Sequence, residues 1–410
     1  MSKDRIRFET DVPGIWGLWP TTPPLWSYSS LKEIEACPRR WMLSRADYPA
    51  IWERRGYPAL AVAVAIFGNV VHGTVERITK ELGDAGITSP RAGDVVGLLG
   101  SLGGWRGIVL DAIQQELARI DGNPRITSER IDRVRDELIR RAPEAVDQVK
   151  AFLGRGALPA AKAPGGSGVT VDPDTPRPRD PAGFGAHAER EVTAEAQRLT
   201  GRIDRLVVDV ADVAVTDFKT GLEDDGHDDQ VRFYALLWQL DSQTNPDGRS
   251  ATKLRVAYPS RDRVVEAPDE RQLQALETET AARVAAADAV TQNPPPMAMP
   301  GAQTCRYCHV KHLCDAYWPA VPPLVRDITT EEWFDFEGRV LRPNGSRSWY
   351  VESVAEPTAE VLVRTVETDV AFPVGKRVRL LGVRRSQDPD TPERLVISMV
   401  ATSEWYPVSS

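Results

Sequence analysis

Only four cysteines and five histidines occur in the 410 residues, so a disulfide-stapled scaffold is excluded. No apolar run approaches the roughly 20 residues that a membrane span needs. The opening MSKDRIRFETD lacks the apolar centre of a secretion signal, which sets the expectation of a cytoplasmic protein with no membrane partner. A G-x4-G-K-[ST] loop is missing, which excludes an ATP-driven helicase. There is no excess of positive charge either: 51 Lys and Arg stand against 59 Asp and Glu, a net charge of −8. Average charge does not decide what a groove binds, so a polyanionic partner stays open. Internal repeats are absent, and so is the C-x3-C-x2-C spacing of radical enzymes.

What is present centres on Leu199–Gly221, two β-branched runs joined by a short polar turn. Asp204, Asp217 and Lys219 interrupt this apolar stretch, and buried strands normally avoid such residues. A turn centred on Val210 and Ala211 places Asp204 opposite Asp217, roughly 5 Å away on one face. Lys219, two residues on, returns to that face. Two carboxylates so close repel unless a hard cation, Mg²⁺ or Mn²⁺, lies between them. The plainer alternative is a structural salt bridge between Lys219 and one aspartate.

The four cysteines are Cys37 and the run Cys305, Cys308, Cys314, spaced C-x2-C-x5-C. Four thiolates with none to spare is the count for one tetrahedral metal centre. A local zinc site using His309 or His312, with Cys37 merely buried, is the competing assignment.

Along the chain, residues 1–28 read as an extended lead-in. Ser30 to Glu33 form a capping box opening a helix that kinks or ends at Cys37-Pro38. Helices are expected over Leu60–Leu82, Trp105–Ile120, Ser128–Leu153 and Asp269–Thr291. The Gly/Pro/Ala-rich stretch 155–185 reads as a flexible loop. Strands are expected over Ala186–Ala196, Lys253–Tyr258 and Arg263–Ala267. Beyond Pro323, five short strands in succession predict a small β-barrel of OB or SH3 type, with Trp349 and Tyr350 as candidate base-stacking residues.

The ordered series S-x-S-S-L…CPRRW, GNVVHG, GRIDRL, TDFKTG, Q-x3-Y and C-x2-C-x5-C resembles the RecB-type PD-(D/E)XK nucleases. More narrowly it resembles their iron–sulfur branch, which includes the CRISPR adaptation exonucleases and the AddB nuclease domain. The resemblance runs from about Ser27 to Cys314. It implies an α/β, restriction-endonuclease-like core with a helical insertion, followed by an OB-like all-β barrel. The corresponding domains are 1–322 and 323–410.

The resemblance also assigns roles. His72, Asp204 and Asp217 become ligands of Mg²⁺ or Mn²⁺, with Glu189, or else Glu191, as a further carboxylate. Lys219 becomes the catalytic lysine, and Gln230 and Tyr234 line the active site. Cys37, Cys305, Cys308 and Cys314 become ligands of a [4Fe–4S] cluster acting as a structural staple, with zinc as the alternative. Independently of the resemblance, the basic residues around the cysteines, Arg39, Arg40, Arg306 and Lys311, are candidate contacts to a DNA backbone. The implied activity is phosphodiester hydrolysis of single-stranded DNA or DNA ends, more exonuclease than endonuclease, in repair, recombination or defence. A helicase or other partner acting in trans would supply unwinding. A non-catalytic DNA-end or single-strand binding module and a zinc-stapled interaction protein are the competing classes.

Overall fold

A computed structural model describes residues 7–9, 16–52, 55–87, 93–155, 179–366 and 370–408. Most of the expected loop at 155–185 lies outside these residues. The chain divides into two compact units, one of 23–31 and 61–286, the other of 1–22, 32–60 and 287–410.

The chain opens on a short antiparallel hairpin, β1 (Arg7–Glu9) and β2 (Trp16–Leu18), where only extended lead-in was expected. Helix α1 (Tyr28–Ala36) starts earlier than the capping box predicts, because Ser27 Oγ accepts the Ser30 amide at 3.2 Å. Cys37 does end it, and then caps α2 (Pro38–Arg45), its sulfur accepting the Arg40 amide at 3.5 Å with Pro38 at the first helical position.

Four helices follow: α3 (Ala63–Asp84), α4 (Gly93–Ser101), α5 (Gly104–Ile120) and α6 (Ser128–Gly154). Helix α4 has no sequence signal, since three of its nine residues are small and flexible; burial of Val95 and Leu99 holds it. Val71, Val75, Ile78 and Leu82, the stripe read from the sequence, join Ile108, Leu138, Val149 and Phe152 in one core.

The first unit's sheet contains β3 (Gly185–Ala194), β4 (Leu199–Val208), β5 (Val213–Phe218), β6 (Lys253–Ala257) and β7 (Asp262–Val265), ordered as numbered. Only β5 and β6 pair in parallel, and α7 (Gly226–Leu240) makes the crossover between them. Helix α7 then lies across β3 to β6. Its close approach depends on Gly201, where an added Cβ would stand 2.7 Å from Leu237 Cδ1 and 3.0 Å from Tyr234. Helix α8 (Glu270–Gln292) follows.

In the second unit, α9 (Ala302–Arg306) carries Cys305. Six strands come after it: β8 (Trp333–Pro343), β9 (Ser348–Ser353), β10 (Glu360–Arg364), β11 (Arg377–Ser386), β12 (Leu395–Ser398) and β13 (Glu404–Val408). The order β12-β10-β9-β8-β11 closes on itself through β11–β12, a five-stranded barrel with β10 and β12 parallel. Strand β13 is a sixth, added outside on β11. Pro407 hid it from the sequence reading, and an edge strand is where proline is tolerated. Trp349 faces the barrel core beside Phe372, ring centres 5.6 Å apart, which removes it from the stacking surface. Tyr350 instead carries Arg342 over its ring at 4.1 Å.

Candidate active site

The β4–β5 turn is closed by the Asp209 amide on the Asp212 carbonyl at 2.8 Å, so its centre is Val210–Ala211 as expected. The ladder ends at Arg205 and Thr216, one step short of Asp204 and Asp217. There the strands part, and the Asp204 carboxylate accepts the Phe218 amide at 2.5 Å in place of a ladder bond. Beyond the ladder with β4, the Lys219 amide still donates to the Ala257 carbonyl at 2.9 Å, which continues the pairing toward β6.

His72 of α3, Glu189 of β3 and Asp204 of β4 place ligand atoms within 4.8 Å of one another. This is the one such group of three among the described residues. Glu189 lies between the pairs Ala188–Arg205 and Arg190–Ile203, level with Asp204. Its φ of 49° is unusual for a non-glycine residue and marks local strain in the strand. Glu191 pairs with Arg202 and is exposed, so the choice between the two glutamates falls on Glu189. Arg202 Nε holds the Glu189 carboxylate at 2.8 Å.

Asp217, 2 % exposed, stands beside this group rather than in it. Lys219 Nζ lies 2.8 Å from its Oδ2 and donates to Gln230 Oε1 at 2.9 Å. Gln230 Nε2 in turn donates to the Tyr234 hydroxyl at 2.8 Å. The tyrosine thus fixes which way the amide points, and the amide fixes the ammonium. A close contact with α3 supports this corner, since a Cβ on Gly68 would lie 3.1 Å from Thr220 Oγ1.

The electrostatics call for a cation. Burial, then the neighbouring Asp204 charge, raises the Asp217 carboxyl to about 7. Burial raises Asp204 to about 6, offset by the Phe218 amide and Lys219. Glu189 rises to about 8 from burial and then from Asp204. Burial lowers His72, which keeps its imidazole neutral and available as a ligand. Carboxylates that resist ionisation together with a neutral imidazole are the donor set a divalent metal satisfies.

The four cysteines line one cavity with Arg39, Arg40 and Lys311. Burial raises the Cys308 thiol to about 12, and Cys314 shifts the same way. Arg39 bonds the Pro296 carbonyl at 2.9 Å and Asp315 at 3.1 Å, while Arg40 bonds the Thr304 carbonyl at 3.3 Å. Both guanidiniums are therefore used to wall this cavity, whereas Arg306 is exposed. His312 is fully buried, bonded to the Tyr57 hydroxyl at 2.7 Å and stacked on Tyr406 at 4.0 Å, which occupies it with packing. No single helix among the described residues is long and apolar enough to cross a membrane.

The model of the PD-(D/E)XK nuclease superfamily matches residues 25–315, most of the chain, and the chain belongs to that superfamily. Its members are metal-dependent nucleases, and His72, Glu189, Asp204, Asp217 and Lys219 all lie within the matched span. No curated protein matches. Among solved structures, the chain is similar to the p204 HINb domain at 14 % identity and TM-score 0.20, covering 28 % of this chain and 55 % of that one. The crystal structure of SSO0001 shares 23 % identity at TM-score 0.20, over 32 % of this chain and 60 % of that one. A murine DNA binding protein bound with ds DNA shares 10 % identity at TM-score 0.19, over 55 % and 96 %. The chain spans less than two thirds of the first two, and likenesses this distant carry no argument.

Proposed function

We propose that the chain is a deoxyribonuclease that hydrolyses phosphodiester bonds at single-stranded DNA or DNA ends, acting as an exonuclease. The observation that carries this reading is the meeting of the His72–Glu189–Asp204 group with the Asp217–Lys219–Gln230–Tyr234 chain of contacts. His72, Glu189 and Asp204, with Asp217 alongside, hold Mg²⁺ or Mn²⁺. When bound, the metal polarises the scissile phosphate and lowers the pKa of a coordinated water. Lys219, aimed by Asp217 and Gln230, orients the attacking water and meets negative charge growing on the phosphate.

A groove of about 1100 Å³ opens at Glu189, lined by Lys80, Arg179, Arg190 and Arg202 together with the carboxylates of Glu76, Asp84, Asp180 and Glu191. Phe184, 65 % exposed on the same groove, offers a ring face to an unpaired base. An aromatic face is useful to a single strand and useless to a stacked duplex. With no ATP-binding loop in this sequence, duplex substrates would need unwinding by a partner in trans, in repair, recombination or defence.

In the second unit the barrel reads as OB-like, from its closure and its parallel β10–β12 pair. The cysteine cavity takes a [4Fe–4S] cluster as a structural staple. Burial holds the Cys308 and Cys314 thiols against ionisation, which a metal would overcome, and the Cys37 sulfur already accepts a backbone amide. Zinc at its usual Zn–S length of about 2.3 Å would draw its sulfurs to about 3.8 Å. No three cysteine sulfurs lie within 4.8 Å of one another among the described residues, which favours the wider cluster.

The test uses protein purified without oxygen on end-labelled single- and double-stranded DNA with Mn²⁺ or Mg²⁺, beside Asp204→Asn, with iron and zinc determined on the same samples. Metal-dependent shortening from one end by wild type alone is expected, with about four irons per chain. Equal cutting by both proteins would overturn the site, and zinc without iron would overturn the cluster.

A further inference from the structure

A second charged pocket lies where the sheet meets the end of α6. Arg155, just past that helix, Arg205 of β4 and Arg255 of β6 line it together with Thr216, Asp262 and Phe152. The ladder sets three of these in one row, since Arg205 pairs with Thr216 and Thr216 with Arg255. Arg205 is 7 % exposed, and Arg255 is half-buried.

Three guanidiniums therefore face one carboxylate, and their donors can be traced. Arg155 Nη1 lies 2.9 Å from Asp262, and its other nitrogens reach the carbonyls of Ala151, Tyr258 and Pro259. Arg205 donates to the Phe152 carbonyl at 2.9 Å and lies over the Phe218 ring at 4.9 Å. The Arg255 guanidinium makes no hydrogen bond or ion pair among the described residues. Asp262 and the neighbouring Asp204 offset part of this positive charge, and the half-buried Arg255 is left without a protein anion of its own among the described residues. The remaining repulsion between guanidiniums that stay charged at neutral pH is relieved by an anion among them.

We propose that this pocket binds one small inorganic anion, held by the guanidiniums of Arg205 and Arg255 with the Thr216 hydroxyl beside them. The free space admits a single particle of water size, a little smaller than chloride, so a small outward shift of Arg255 admits a halide. A phosphate-class oxyanion shares the chemistry and enters if Arg255 swings outward. Thr216 and Phe218 flank Asp217, so an occupant would stiffen the strand that carries the lysine's partner. The proposal is independent of the nuclease reading, and its test needs no DNA.

Thermal unfolding of the full chain at constant ionic strength would compare gluconate, chloride and inorganic phosphate, for wild type and Arg255→Gln. The expected result is a saturable rise in Tm of about 2–4 °C for wild type in chloride, absent in Arg255→Gln. In gluconate the variant should be at least as stable as wild type, because it loses repulsion and no partner. A rise in phosphate alone would assign the occupant as an oxyanion. Indistinguishable wild-type curves in all three salts, or the same rise in the variant, would overturn the proposal. Broadening of the ³⁵Cl NMR line by wild type, displaced by phosphate, gives a readout that does not depend on unfolding.

Discussion

Replacing Lys219 by methionine keeps most of the side-chain volume and removes the charge. The lost contacts are the 2.8 Å pair with Asp217, whose carboxyl is 2 % exposed, and the 2.9 Å hydrogen bond to Gln230. Stranding a buried charge costs about 3–5 kcal/mol when the charge stays. Asp217 has an escape, since its carboxyl already titrates at about 7. Taking up a proton near neutral pH costs less than about 1 kcal/mol. What remains is the charge-assisted hydrogen bond, about 2 kcal/mol, which amounts to about 4–8 °C in Tm for a unit of this size. Cleavage should fall much further, by about 10²–10³-fold, because the donor is most valuable where charge develops in the transition state. Urea unfolding and initial rates on end-labelled DNA, measured on the same preparation, separate the two effects. A rate within about threefold of wild type would refute the lysine's role. A stability loss above about 4 kcal/mol would refute the argument that Asp217 protonates.

Three further outcomes are expected. Glu189→Gln should weaken Mn²⁺ binding by more than about tenfold in calorimetry while Glu191→Gln leaves it unchanged, because only Glu189 stands within 4.8 Å of His72 and Asp204. In the metal-free protein, Asp204, Asp217 and Glu189 keep protons up to about 6, 7 and 8 that an unfolded chain releases near 4. Across that window the unfolded state binds fewer protons, so these groups lower stability as pH rises, and the stabilisation gained from Mn²⁺ over chelator should grow with pH; a flat or falling gain would contradict it. Gly201→Ala should cost about 1–3 kcal/mol by pressing a methyl against Leu237 at 2.7 Å. Its activity should drop beyond that cost, since displacing α7 moves Gln230 away from Lys219.

The centre of the active site was legible because strand physics is local. β-Branched runs on both sides of Asp209–Asp212 gave the turn, and the turn gave the register as far as Arg205–Thr216, one step short of Asp204 and Asp217. The same reasoning stopped at Glu189 and Glu191, which share a pleat phase. Their difference lies in a positive φ at Glu189, for which a glutamate gives no sequence signal. Gln230 and Tyr234 were legible as a helical pair, but the contact of Gln230 with Lys219 depends on Gly201 admitting α7, a tertiary effect. The row Arg205–Thr216–Arg255 escaped notice because it joins strands separated by a whole crossover helix. Strand β13 escaped because a proline at an edge resembles a loop, and Ser30 drew attention from Ser27 because a capping box is the stronger pattern.

The amide of Phe218, donated to the Asp204 carboxylate where the strands part, is a built-in spectroscopic probe. Its proton senses whether that oxygen carries a charge, a proton or a metal. A single ¹H–¹⁵N cross-peak should therefore follow acid titration and cation loading of the site without any substrate, label or substitution.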